Sequence, residues 1–224
     1  FSEMIGAQVD SSIFEGLLRL DENGNYTGGV AESFKEDGNK FTFKIRENAK
    51  WSDGSKITAN DFLFAFKRVL NPKTAAQFAE MLFPIKNAEA YYEGKVQENE
   101  LGVRVIDEGT LEITLEYPVS YFKYILTLPV TVPLKEEFYN IHKDKYAIKQ
   151  DSFLFNGPYK IVSLKENEIL LEKNEYYWNS KNIKIPEIKY VISKDFKVVD
   201  DLIKNREIDM SRVENYHLEK YKKE

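Results

Sequence analysis

The sequence of 224 residues contains no cysteine, which excludes disulfide bonds and thiolate chemistry within it. It has two histidines, His142 and His217, and neither stands in a metal-binding pattern such as His-Glu-x-x-His. The Gly-x-Ser-x-Gly motif and the Gly-rich loops that bind phosphates are also missing. We therefore expect no metal site, no cofactor and no catalytic residues of these familiar kinds.

Long hydrophobic runs are missing as well. No stretch approaches the roughly 20 consecutive apolar residues that a transmembrane helix requires, and the first residues do not show the charged and then apolar pattern of a signal peptide. We expect the protein either to be cytosolic or to have lost a targeting segment, and these observations leave both possibilities open.

An excess of charge of one sign is absent too. Lys and Arg number 32 against 37 Asp and Glu, for a net charge of −5. No basic run is long enough to follow a phosphate backbone, so a nucleic-acid partner is not expected. The neighbours Glu136 and Glu137, like Asp200 and Asp201, would point about 100° apart on a helix, so we expect no paired general acid and base there.

Clear local patterns are present instead. Hydrophobic residues make up 42% of the sequence, enough to bury the core of one large domain or two modest ones. Apolar and polar side chains alternate over residues 41–46, which predicts a strand with one buried face. Asp53 and Gly54 then predict a tight turn. Thr58 and Asp61 have the spacing of a capping box, which predicts a helix start.

The helix that follows has one apolar stripe, with side chains three and four residues apart: Phe62, Ala65, Phe66 and Val69. Asn71 before Pro72 predicts its end, because the residue before a proline is disfavoured in the helical region. Trp51 is expected to pack the preceding turn against this helix rather than to contact a ligand. The aromatic run Tyr176–Trp178 is expected to serve core packing, although stacking on a ligand is the alternative.

Further elements follow from periodicity and turn residues. Helices are predicted over residues 10–20, 75–83, 86–93, 135–149 and 196–205, hairpins over 103–116 and 159–173, and a strand over 187–193. Pro118, Pro129 and Pro133 mark a boundary. Strands and helices alternate after this boundary, which favours an α/β sheet.

Four strings, in this order and spacing, resemble the family 5 extracellular solute-binding proteins, the oligopeptide- and dipeptide-binding receptors of ABC importers. The strings are FEGL at 14–17, the block AESFKEDGNKFTFKIRENAKWSDGSKITANDFLFAFKRVLNPKTA at 31–75, NGPY at 156–159 with NEYYW at 174–178, and EIDM at 207–210. Each string alone is a weak signal, but together they cover nearly the whole chain.

The resemblance implies an α/β fold, namely a periplasmic-binding-protein type II-like lobe with a mixed sheet and an inserted α+β domain. It implies that residues 1–14 and 133–224 form lobe I and that residues 15–132 form the inserted domain. Receptors of this family are usually far longer and have two lobes. The resemblance therefore implies a fragment that lacks the second lobe.

The resemblance also implies ligand-binding residues: Ser2, Glu3 and Met4 in an extended stretch that hydrogen-bonds a peptide backbone, Phe78 packing over the ligand, and Ser211, Arg212 and Val213 lining the cleft. The family often carries tyrosine at the position of Phe78, so a polar contact made by a hydroxyl there is not implied for this chain. The alternatives are a frayed terminus for Ser2–Met4, a core position for Phe78 and a solvated charge for Arg212.

The function implied by the resemblance is capture of oligopeptides and their delivery to the permease subunits of an ABC transporter in the membrane. The expected protein is a monomer without enzymatic activity or cofactor. Its expected place is the periplasm or the extracellular face of the cell membrane, with a lipid anchor on a segment outside this sequence. The alternatives are binding of a nickel complex, haem or an oligosaccharide, a carbohydrate-active enzyme, and a cytosolic interaction module.

Overall fold

Three antiparallel sheets form the framework of the computed structural model, which describes residues 9–148, 150–193 and 195–211. The strands are β1 (Leu18–Leu20), β2 (Tyr26–Gly28), β3 (Ala31–Asp37), β4 (Lys40–Ile45), β5 (Val103–Asp107), β6 (Thr110–Thr114), β7 (Tyr159–Lys165), β8 (Glu168–Lys173) and β9 (Glu187–Val191). β1 and β2 pair alone, the second sheet has the order β3-β4-β6-β5, and the third has the order β7-β8-β9.

Helices are short except for one. They are α1 (9–13), α2 (Ala59–Leu70), α3 (Ala88–Tyr92), α4 (Phe122–Ile125), α5 (Glu136–His142) and α6 (Phe196–Lys204), with short 3₁₀ turns between some of them. Within the ranges that the structure describes, none of these helices is long and apolar enough to cross a membrane.

The four-stranded sheet packs against α2. Phe41 and Phe43 of β4 are buried on one face of the sheet, as their alternation with polar residues predicts. α2 begins at the predicted capping box, where Asp61 Oδ2 accepts the backbone N–H of Thr58 at 2.7 Å. It ends before Asn71, which is extended. The predicted strand, helix start and helix end are all confirmed.

Both predicted hairpins are confirmed. β5 and β6 flank the turn at Asp107–Gly109, and β7 pairs with β8 from Tyr159 opposite Lys173 to Lys165 opposite Glu168. β9 then pairs along the other edge of β8. The alternation of strands and helices that was expected in this part of the chain is not found in the described residues. β7, β8 and β9 follow one another without an α-helix between them and form an antiparallel sheet, and α6 comes after them.

Buried apolar residues form two clusters. The larger cluster takes its residues from Leu17 to Leu126 together with Leu154. The smaller cluster joins α1 to the third sheet through Val9, Ile13, Phe155, Tyr159, Ile161, Ile169 and Leu171. Residues before 15 thus pack with residues after 152. This arrangement parallels the expected division into 1–14 with 133–224 and 15–132, which stays a prediction at the level of domains.

The helix predicted over residues 10–20 is wrong in its second half. It ends at residue 13, and Leu18–Leu20 is a strand paired with Tyr26–Gly28 across the turn that begins at Asp21. A short apolar run fits a helix or a strand equally well, and here the partner across the turn decides. Gly16 lies where the chain changes direction, and a Cβ there would be 2.8 Å from the Leu126 carbonyl oxygen.

The helix predicted over residues 135–149 is also too long. It ends at His142, and Lys143 follows with a φ of 42°. The chain then turns back, so that the Tyr146 ring packs edge-on at 6.2 Å from Phe138 and 5.7 Å from Tyr139. The helix predicted over 75–83 is reduced to a 3₁₀ turn at Ala79–Leu82, and that over 86–93 to α3.

Candidate functional site

A cleft of about 840 Å³ lies between α1, α2 and the face of the β7-β8 hairpin. Its walls also include residues 77–81, 128–134, 146–147 and 153, and most of the lining side chains are apolar. This volume lies within the range of roughly 300–1,000 Å³ that is typical of small-molecule sites. The cleft is larger than a second depression, of about 450 Å³, beside β8 and β9.

Two charged residues line this cleft among the described residues, Arg68 of α2 and Asp10 of α1. The Arg68 guanidinium carbon lies 4.6 Å from the centre of the Tyr139 ring. Burial raises the pKa of the Asp10 carboxyl above its ordinary value. Burial also raises the pKa of Tyr146 to about 12, against the opposing effect of Arg68.

Phe78 is the predicted site residue that the structure places at the cleft. Its side chain is 49% exposed, so it does not occupy a core position. Its φ of 65° lies in the left-handed region, which is costly for a bulky residue. Strain of this kind persists where the surrounding structure holds it, often at binding sites.

The other predicted binding residues are not brought to the cleft by the described part of the chain. Ser2, Glu3, Met4, Arg212 and Val213 lie outside the described residues. Ser211 is the last described residue, and it is half-buried and does not line the cleft.

Sequence reasoning missed Arg68, Asp10 and the wall at residues 128–134. A signal for Arg68 was present, because it lies three residues after Ala65 and one before Val69 on the apolar stripe of α2. A cation beside such a stripe lies at the edge of a buried surface. No comparable signal marks Asp10, since its position depends on contacts between distant parts of the chain.

A second polar cluster, the Glu15 junction, joins the parts of the chain before and after the proline-marked boundary. It consists of Glu15, Arg19, Arg46, Asn156, Tyr177 and Trp178. The buried Glu15 carboxylate accepts a hydrogen bond of 2.7 Å from Tyr177 Oη and one of 2.5 Å from Trp178 Nε1. The Asn156 side chain accepts from the backbone N–H of Glu15 and donates to its carbonyl oxygen.

Two arginines complete the Glu15 junction. Arg46 lies over the Trp178 ring with its guanidinium carbon 3.7 Å from the ring centre, and its Nε donates to the Gly29 carbonyl at 2.7 Å. Arg19 Nη1 lies 3.8 Å from Glu15 Oε1. Burial raises the pKa of the Glu15 carboxyl, while the hydrogen bonds and the two arginines oppose this rise.

The Glu15 junction explains why the recognised strings occur together. Glu15 belongs to FEGL, Arg46 to the long block, Asn156 to NGPY, and Tyr177 and Trp178 to NEYYW. Gly157 of NGPY lies so close to α1 that a Cβ there would be 2.5 Å from the Ile13 carbonyl carbon. The strings thus supply one structural contact, in which every polar group of Glu15 is paired.

Neither cluster has the composition of a catalytic or metal centre. The cleft has one carboxylate, Asp10, among its described lining residues, whereas glycoside hydrolysis uses two across a cleft. The described residues contain no group of three or more side chains that could hold a metal ion. A smaller depression of about 450 Å³ beside β8 and β9 is lined mainly by charged and polar residues.

The sequence is similar to a known family over most of its length. The model of the bacterial extracellular solute-binding proteins, family 5 middle, matches residues 25–224. The dipeptide-binding protein DppE of Bacillus subtilis is 35% identical over 208 residues, which are 91% of this chain and 38% of that protein. The periplasmic oligopeptide-binding protein OppA of Salmonella typhimurium is 36% identical over 210 residues, 92% of this chain and 38% of that protein.

Solved structures agree. The substrate-binding domain of an oligopeptide ABC transporter from Bacillus anthracis superposes with a TM-score of 0.94 at 41% identity, over 99% of this chain and 43% of that one. Listeria monocytogenes OppA bound to peptide superposes with a TM-score of 0.89 at 32% identity, over 93% of this chain and 42% of that one. The predicted fold class is thereby confirmed. This chain spans less than half the length of these relatives.

Proposed function

Because this chain belongs to family 5 of the bacterial extracellular solute-binding proteins, we propose that it forms one wall of an oligopeptide-binding cleft in a receptor for an ABC importer. The observation that carries the proposal is the apolar cleft of about 840 Å³, with an exposed Phe78 on its wall. An exposed aromatic ring in a strained backbone conformation suits packing against a ligand better than packing within a core.

The second wall of the cleft comes from a further lobe of the receptor. The share of each relative that this chain covers, 38% of DppE and 43% of the Bacillus anthracis structure, supports this part of the proposal. Residues 1–14 and 133–224 form the first lobe and residues 15–132 the inserted domain, a division supported by the two apolar clusters. Ligand contacts from both lobes then stabilise a closed state about a hinge.

A receptor that accepts peptides of many sequences must bind the main-chain N–H and C=O groups that all peptides share, as a strand added to a sheet does. We assign this role to Ser2, Glu3 and Met4. Phe78 packs over the peptide, and Ser211, Arg212 and Val213 line the cleft beyond it. Water bridging in the side-chain pockets then allows the sequence of the peptide to vary.

The receptor binds its ligand without changing it and passes it to the permease subunits in the membrane. It acts as a monomer in the periplasm or at the extracellular face of the cell membrane, where a lipid on a segment outside this chain anchors it. The single carboxylate among the described lining residues of the cleft favours this role over that of a glycosidase.

Calorimetric titration with tri- to pentapeptides tests the proposal on two forms of the protein, the full-length receptor and residues 1–224. We expect binding to the full-length receptor and none measurable at micromolar concentration to residues 1–224, because one wall of the cleft and its desolvation are lost. A full-length receptor that binds no peptide overturns the proposed function. Submicromolar binding to residues 1–224 overturns the assignment of the chain as one wall.

A further inference from the structure

Arg68 is a cation without a charge partner on the wall of the apolar cleft. It lies in the last turn of α2, and its Nε atom is buried without a hydrogen-bond acceptor from the described residues. Within the described ranges, no carboxylate lies within 4.0 Å of its guanidinium. By contrast, Arg104 on β5 pairs with Glu112 at 2.8 Å although its side chain is 67% exposed.

The groups around Arg68 are aromatic rather than anionic. Its guanidinium carbon lies 4.6 Å from the Tyr139 ring centre. The Tyr146 hydroxyl is neutral at physiological pH, as an ordinary tyrosine is, and burial raises its pKa further, to about 12. Asp10, the other charged residue among the described lining residues, makes no ion pair with Arg68. Glu136 and Glu137, at the start of the helix that carries Tyr139, are exposed and make none either.

This arrangement favours an incoming anion. A planar guanidinium that lies on the face of an aromatic ring has its N–H groups in its own plane, where they can still donate to an acceptor. Leaving a partly buried cation unpaired is costly, and a carboxylate with two parallel hydrogen bonds offsets that cost best. Arg68 is therefore oriented and partly desolvated before any ligand arrives.

We propose that Arg68 binds a carboxylate of the peptide ligand, either the terminal carboxylate or an acidic side chain. The inference rests on the proposed function, because Arg68 lines the same cleft as Phe78. Recognition of the peptide main chain alone gives no preference among sequences. A single arginine adds a preference for a negative charge at one position without fixing the other residues of the peptide.

The test compares Arg68→Met with the wild type in the full-length receptor, and uses Arg104→Met as the matched control for loss of one positive charge. The probes are penta-alanine and its C-terminal amide, and two amidated pentapeptides of alanine with Glu or Gln at the third position. These pairs distinguish a terminal carboxylate from a side-chain carboxylate. Calorimetry gives the affinities, and thermal unfolding of the ligand-free proteins gives their stabilities.

We expect the wild type and Arg104→Met to prefer the carboxylate member of at least one pair about tenfold to a hundredfold, the range for hydrogen bonds to charged groups. Arg68→Met should lose that preference, and its ligand-free midpoint of unfolding should stay the same or rise, because an unpaired cation is removed. Arg68→Lys should restore part of the preference, since it keeps the charge but not the fork.

Two results overturn the inference while leaving the proposed function intact. One is a wild type that binds both members of each pair equally. The other is an Arg68→Met variant that keeps the preference, or that unfolds at a markedly lower temperature without ligand, as expected if a carboxylate of the protein itself pairs with Arg68. A wild type that binds none of the four peptides overturns the proposed function and this inference together.

Discussion

The buried charge of the Glu15 junction has partners within the protein, whereas the charge of Arg68 in the cleft has no partner of opposite charge among the described residues. At the junction, the Glu15 carboxylate accepts hydrogen bonds from Tyr177 and Trp178, and arginines lie beside it. In the cleft, Arg68 faces aromatic rings and burial alone shifts the pKa of Asp10. A carboxylate whose oxygens are all paired fixes one arrangement of the chain, although the Nε atom of Arg19 beside it is buried without a hydrogen bond from the described residues. A cation without a charge partner remains available to a ligand. Residues that hold the fold are thus distinguished from residues that we propose to bind the ligand.

Among these substitutions, Trp51→Ala should have the largest effect, and it should affect stability rather than peptide binding. Its side chain is fully buried, and the next residue, Ser52, exchanges two hydrogen bonds with Phe155 across the two apolar clusters. Trp51→Ala should therefore lower the free energy of unfolding by about 3–5 kcal/mol, as for large aromatic truncations in cores. Chemical denaturation measures this loss, and calorimetry on the folded full-length variant should show nearly unchanged peptide affinity.

Trp51→Phe is the conservative control. The Trp51 indole N–H is buried without a hydrogen bond of ordinary geometry from the described residues, although it faces the Asp61 carboxylate. Burial raises the pKa of that carboxyl, and the Trp51 N–H opposes the rise. The phenyl ring removes this N–H and keeps most of the apolar volume, so the loss of stability should be well below that of Trp51→Ala. If Trp51→Ala left stability unchanged and weakened peptide binding, Trp51 would be a binding residue rather than a residue that holds the fold.

Tyr177→Phe should have the next largest effect, because it removes one hydrogen bond to the Glu15 carboxylate and keeps the ring. Hydrogen bonds to charged groups contribute about 1.5–3 kcal/mol, so we expect a loss of that size near neutral pH. The Tyr177 hydroxyl favours the charged form of Glu15 and so opposes the rise of its pKa. Its removal raises that pKa further.

The loss of stability in Tyr177→Phe should depend on pH and should be smaller at acidic pH. A carboxyl whose pKa is raised in the folded state destabilises the fold where it is ionised, and this cost disappears as the pH falls through the raised pKa. The stability difference between Tyr177→Phe and the wild type should therefore shrink as the pH is lowered from neutral. Tyr176→Phe, at a half-exposed neighbouring ring, is the control. A difference that grows on acidification would show that Glu15 is not the group involved.

Local patterns predicted the local structure well. The capping box at Thr58, the strand around Phe43 and both hairpins need only neighbouring residues, so the sequence specifies them directly. The failures came where distant contacts decide. Leu18–Leu20 is a strand because of its partner across a turn, and α5 stops at His142 where the chain turns back to pack Tyr146.

The candidate site was less predictable for the same reason. Glu15 and Tyr177 are separated by 162 positions, so nothing in either string shows that one carboxylate and one hydroxyl meet. Family resemblance pointed to Phe78, which the structure places on the cleft wall, and its contact with a ligand stays a prediction. The resemblance could not show a positive φ or an exposed ring. Arg68 looked like an ordinary helix cation, because only the folded structure shows that no described carboxylate lies near it.

Phe78 should show the smallest effect on stability and the clearest effect on binding. The ring is 49% exposed, so Phe78→Ala removes little buried area and should cost less than about 1 kcal/mol of stability. Peptide affinity of the full-length receptor should fall, because a wall of the cleft is lost.

Phe78→Gly distinguishes the effect of losing the ring from the effect of backbone strain, because the φ of 65° costs a glycine nothing. It should be about 1 kcal/mol more stable than Phe78→Ala while binding peptide equally weakly, and denaturation with calorimetry on both variants measures this. If Phe78→Gly were the less stable of the two variants, the left-handed backbone at residue 78 would be wrong. If both variants bound peptide like the wild type, Phe78 would not be a binding residue.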